Sequence, residues 1–137
     1  MAAYADWVHT KESVSGTLVT SDAYSVVPSV VLTGEEAEPR SFILPRHPLD
    51  FAGGGIGALL LVGGAGRFRA SDGAFVGGAA VPATAMQAAT VYGGGFNWYP
   101  HRGIALLSSF GHMVFDAHGA NARPTENTLI VRFHMVL

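Results

Sequence analysis

The sequence predicts an all-β domain: a β-sandwich or an irregular β-barrel, with long glycine-rich connections and at most one short helix. Three observations point there. Short runs rich in Val, Leu, Phe and Tyr recur along the chain, broken by glycine clusters at 53–55, 63–64, 77–78 and 93–95. A 3.6-residue apolar period is sustained in only one short segment. The chain closes, over residues 128–137, on an alternation in which Leu129, Val131, Phe133, Met135 and Leu137 share one face.

The elements follow in chain order. Strands are expected at 14–20, 25–32, 41–44, 58–63, 67–70, 74–77, 104–109, 112–117 and 128–137. Pro28 interrupts the second and belongs at an edge or a bulge, because proline donates no ladder hydrogen bond. The loop from Gly34 carries Glu35, Glu36 and Glu38, read as a solvated acidic stretch and not as a tuned carboxylate pair. Asp72 and Gly73 suit a two-residue turn with positive φ, so 67–76 is expected to be a hairpin. "PATAMQAATVY", from Pro82, is the one candidate helix, with proline at its first position.

The last strand sets the main question. Its second face (Thr128, Ile130, Arg132, His134, Val136) is mixed, whereas the first is wholly apolar. Burying each such side chain contributes ~1.5–3 kcal/mol, so that face must be covered by the domain's own core or by a neighbouring subunit. Composition favours the neighbour. Charged residues are 13% of the chain, against roughly 25% in an average soluble domain, while the apolar share of 49% is ordinary. A surface so poor in charge is expected to associate.

Other bulk properties narrow the function. The 137 residues fit one domain, 1–137. There is no cysteine, which excludes disulfides and thiolate metal sites. The net charge is −2 and Lys11 is the only lysine, so no cationic footprint for nucleic acid exists. The longest apolar run, 56–66, is too short and glycine-rich to span a bilayer as a helix, and membrane insertion is not expected. The first residues show no signal peptide, which suggests synthesis in the cytoplasm.

Catalytic patterns are sparse. "GGGIGALL" lacks the third glycine of a dinucleotide fingerprint, and neither a phosphate-binding Gly-Lys-Ser/Thr nor a Gly-x-Ser-x-Gly elbow occurs. His112, Asp116 and His118 share parity and would face one way on a continuous strand, with His134 a possible neighbour. Two imidazoles and a carboxylate suit zinc or iron, but Val114 sits between them and polar or interface histidines are the default reading. No cofactor is expected. "YGGGFNWYPHRG", residues 92–103, is the most site-like stretch. Asn97, Trp98, Tyr99, His101 and Arg102 combine flat rings with amide and guanidinium donors, which suits a sugar or a receptor. If 96–99 is extended, Phe96 and Trp98 face one way and Asn97 and Tyr99 the other, and the first pair is the better core candidate.

"FDAHGANARPTENTLIVRFHMVL" resembles the end of bacteriophage tail-fibre and tail-collar proteins. The matching positions are Phe115, Asp116, Gly119, Arg123, Pro124, Asn127 and the final alternating strand. Both Thr125 and Glu126 stand between Arg-Pro and the asparagine, where the pattern has one residue. The resemblance implies a virion protein, usually a homotrimer, contacting other virion proteins and a host-surface receptor or glycan. In it Arg123 and Pro124 position the last strand: proline sets φ, and arginine offers donors to carbonyls or a carboxylate nearby. The alternation of Leu129, Val131, Phe133, Met135 and Leu137 then serves assembly.

A second resemblance points elsewhere. "LVGGAGRFRASDGAFVGG", from Leu61, is similar to the glycine pattern of allene oxide cyclase and dirigent-type β-barrels, through Gly63, Gly64, Gly66, Phe68, Gly73 and Phe75. It implies a cofactor-free barrel whose apolar lumen steers a reaction by confinement. A carbohydrate-binding module is a third expectation, resting on the aromatic stretch.

Overall fold

The computed structural model describes residues 1–36, 43–117 and 123–136. The chain is all-β. Six antiparallel strands form one sheet in sequence order: β1 (Ala2–Val14), β2 (Thr17–Val31), β3 (Ala58–Ala70), β4 (Met86–His101), β5 (Ile104–Ala117) and β6 (Glu126–Met135). A four-residue helix, α1 (Gly73–Val76), the only one among the described residues, follows β3. The sheet is open, with β1 and β6 as its edges. It is neither closed into a barrel nor stacked on a second sheet among the described residues.

Several elements differ from the sequence expectations. An unexpected strand, β1, ends at Val14, and the expected strand at 14–20 is broken by a hairpin turn and holds from Thr17 onward as the start of β2. Ser15 (φ 50°) and Gly16 (φ 79°) are both left-handed, as the mirror-image turn joining twisted strands requires. β1 itself alternates between two mixed faces, so its period was hidden. Residues 58–63 and 67–70 are one strand running straight through Gly63, Gly64 and Gly66, and 104–109 joins 112–117 through Phe110 and Gly111. Glycine punctuates nothing there: ladders on both sides hold Gly66 and Gly111 extended, and the β3–β4 ladder alone holds Gly63 and Gly64.

The expected hairpin over 67–76 is absent, because 73–76 turns into α1. Gly73 serves close approach and not positive φ: a Cβ there would lie 2.2 Å from the Leu18 carbonyl oxygen of β2. The candidate helix after Pro82 is strand from Met86 onward. Its Ala-rich propensity yields to hydrogen-bond ladders with β3 and β5 on both sides, to which Thr90, Val91 and Tyr92 are well suited. Pro28 sits in an inner strand, not at an edge. The β2–β3 ladder skips Val27 and Pro28, so the proline is accommodated by a local gap. Of the expected strand at 41–44, Ile43 and Leu44 are not in a strand, and the rest lies outside the described residues.

The core is small and lies at one end of one face. Val31, Ile43, Ala58, Tyr99 and Ala105 pack together, with Leu60 and Leu107 against them. Glu35 fastens the chain segment over this core, contrary to the solvated loop expected. Its carboxylate accepts hydrogen bonds from the Thr33 hydroxyl and from Arg46 N–H (3.1 Å), and Thr33 Oγ1 accepts from Leu59 N–H (3.0 Å). Burial alone would raise the Glu35 pKa. The hydrogen bonds from Thr33 and Arg46 outweigh it and hold the carboxyl below its ordinary value.

Candidate functional site

Register and pleat define two faces, because directly opposite residues of an antiparallel sheet lie on the same side. One rank crosses five strands as Val30, Leu61, Phe96, Ser108 and Val131. The next crosses as Leu59, Trp98, Leu106 and Phe133, and on the other side Gly63 and Gly94 lead to Phe110 and Leu129. These ranks form a continuous apolar surface. Toward the far end of the same face the character changes. Arg67 there donates to Thr90 (2.9 Å) and pairs with Asp116 (2.6 Å).

The described chain leaves most of that apolar surface open, although Leu59, Trp98 and Leu106 are half-buried. Leu129 is 71% exposed, Phe133 66%, Val131 61%, Phe110 49% and Phe96 43%. Phe96 is therefore not the core residue expected, and Tyr99 takes that role at 6% exposure. Burial raises the Tyr99 hydroxyl pKa, partly offset by a hydrogen bond with Asn97. The accessible surface is 8965 Å². A compact monomer of this mass would expose about 6,800 Å², so roughly 2,000 Å² per chain is left over. That excess is the scale of an obligate subunit interface.

The residues expected to bind a receptor do not form one cluster. Residues 92–103 are not a loop but the second half of β4 and its turn, where Gly103 (φ 80°) permits the reversal. Trp98 lies on the apolar face and donates from Nε1 to the Ile56 carbonyl (2.8 Å). Asn97 and Tyr99 lie on the opposite face. His101 and Arg102 are at the sheet's end, with His101 Nδ1 3.3 Å from the Arg102 carbonyl.

The histidine and carboxylate set is similarly divided. His112 and Asp116 do share a face, but His112 Nδ1 meets Asn127 Oδ1 (2.7 Å) and Asp116 holds Arg67. His118 lies outside the described residues. His134 pairs with Ala105, at the other end of the sheet and on the other face. No group of three metal-capable side chains occurs among the described residues.

Arg123 clamps the start of β6. Its guanidinium lies 4.2 Å from the Phe115 ring centroid and hydrogen-bonds Glu126, with Nε at 3.2 Å. The carboxylate partner is one of the two residues, Thr125 and Glu126, that stand where the tail-fibre pattern has one. Leu137, expected in the assembly strip, lies outside the described residues, as does Gly119.

The opposite face carries a groove of about 480 Å³. Gly64, Gly93 and Gly111 form its floor, with Val62 and Ile130 on one side and Val91 and Met113 on the other. It is open, not an enclosed lumen.

The sequence signal for the apolar surface was present but divided. Leu61, Phe96 and Phe110 each alternate correctly within their strands, yet glycines next to them suggested strand ends. Comparisons with protein-family models, with curated proteins and with solved structures gave no match.

Proposed function

We propose that this chain is a non-enzymatic virion structural subunit, a tail-fibre tip or a head or tail decoration protein. It self-assembles as a trimer through its uncovered apolar face. The observation that carries the reading is a six-stranded sheet with one layer, whose aromatic and aliphatic face is left largely open by the described residues. A single sheet must bury its apolar face against another layer, and a second copy of the chain would supply one. The low charge content agrees, since an interface core is depleted in charged residues.

The virion assignment and the threefold stoichiometry rest on the resemblance of the closing segment to phage tail-fibre ends. Contact with a host glycan or receptor would then fall to the exposed turns, among them Arg102 and Gly103. The barrel-type cyclase has less support: Gly73 and Phe75 of its pattern lie on α1, and the sheet is open. Light scattering on the purified protein at micromolar concentration tests the proposal. It expects the mass of three chains, and a monodisperse folded monomer would overturn it.

A further inference from the structure

The apolar face accounts for one uncovered surface, and the two sheet edges are another. β1 and β6, of 13 and 10 residues, are exposed along nearly their whole length. Each presents a row of backbone N–H and C=O groups with no partner strand among the described residues. Edge strands are normally blunted by prolines, bulges or lysines. These two contain no proline, pair with β2 and β5 in unbroken register, and carry Lys11 as their only lysine.

Building on the self-assembly proposed above, we infer that copies also join edge to edge: β6 of one copy pairs antiparallel with β1 of the next, in the register that sets Arg132 beside Asp6. Direction permits it, because a six-strand meander leaves its first and last strands antiparallel. Closure favours it. A two-fold contact between like edges would leave the other edge open to further addition, whereas a head-to-tail contact uses both and closes a ring.

Side chains favour the register on both faces. Asp6 and Arg132 lie on the face that carries the groove, and the Arg132 side chain makes no hydrogen bond or ion pair among the described residues. On the apolar face the same register brings Trp7, 68% exposed, beside Val131, 61% exposed, and so extends that surface across the joint. It also sets Glu12 against Glu126, whose charge Arg123 already offsets.

The absence of cysteine makes the test direct. Val8→Cys combined with Ile130→Cys places two thiols opposite each other in this register, and Thr128→Cys or Arg132→Cys in place of Ile130→Cys scans the neighbouring ones. Within one chain the two edges are separated by five strand spacings of about 4.8 Å, too far for a disulfide. Mild oxidation should give covalently linked chains up to the trimer on a non-reducing gel, strongest for the 8–130 pair. Hydrogen exchange on the unaltered protein should show protected amides along both β1 and β6. An oligomer with no cross-link in any register and unprotected edges overturns the edge contact and leaves face-to-face assembly standing. A monomer overturns both.

Discussion

Phe133 stands opposite Leu106 on the β5–β6 ladder, yet two-thirds of its surface, 66%, is open. Backbone pairing has placed it without burying it. An exposed apolar strip of this kind is the feature on which the proposed self-assembly rests.

Phe133→Asp should therefore break assembly. A charge buried in the interface without a partner costs about 3–5 kcal/mol, which is roughly a hundredfold or more in the association constant. Sedimentation at micromolar concentration should show the mass falling to a single chain. An unchanged oligomer would place the interface elsewhere.

Glu35 should make stability depend on pH in the acid range. Its folded carboxyl titrates below the ordinary value, so its contribution is complete above the unfolded pKa. It is lost as pH falls through the carboxylate range. Glu35→Gln should lower stability at neutral pH by about 1–3 kcal/mol and flatten that acid limb. Denaturant unfolding at pH 7 and pH 3 measures both effects.

The glycines of β4 and β5 should differ sharply in tolerance. A Cβ on Gly95 would lie 2.0 Å from the Ser108 carbonyl oxygen, whereas one on Gly111 meets nothing within 4 Å. Gly95→Ala should disrupt the β4–β5 ladder and lower the melting temperature steeply. Gly111→Ala should melt within a few degrees of the parent. Equal effects would mean that close strand approach is not what requires glycine at Gly95.

Arg123→Ala should loosen the entry to β6 without unfolding the sheet. It removes a cation–π contact and an exposed ion pair, together worth about 1 kcal/mol. Hydrogen exchange should quicken at Asn127 and Thr128 and stay unchanged in β3. A global loss of protection would make the arginine a keystone of the fold.

Legibility was uneven for physical reasons. The closing strand could be read because nine consecutive residues alternate without a glycine or proline. β4 could not, since its first half is rich in alanine and its middle is three glycines. Both are poor strand formers by local preference, and only ladders from two neighbours hold them extended. The five aromatic and polar residues of 97–102 looked like one site because they are adjacent in sequence, and the pleat separated them. Glu35 looked solvated because its partners, Thr33 and Arg46, give no pattern that a local reading detects.

What the sequence determined by itself was the class of structure and the existence of an apolar strip that needed a cover. Strand alternation and scarcity of charge are local properties, and they survive any tertiary arrangement. The tertiary structure alone decided that such strips from five strands would align into one surface, and that the described chain would leave most of it bare. Alignment depends on register between strands distant in sequence, and cover depends on whether a second layer exists. Neither is encoded within a single strand.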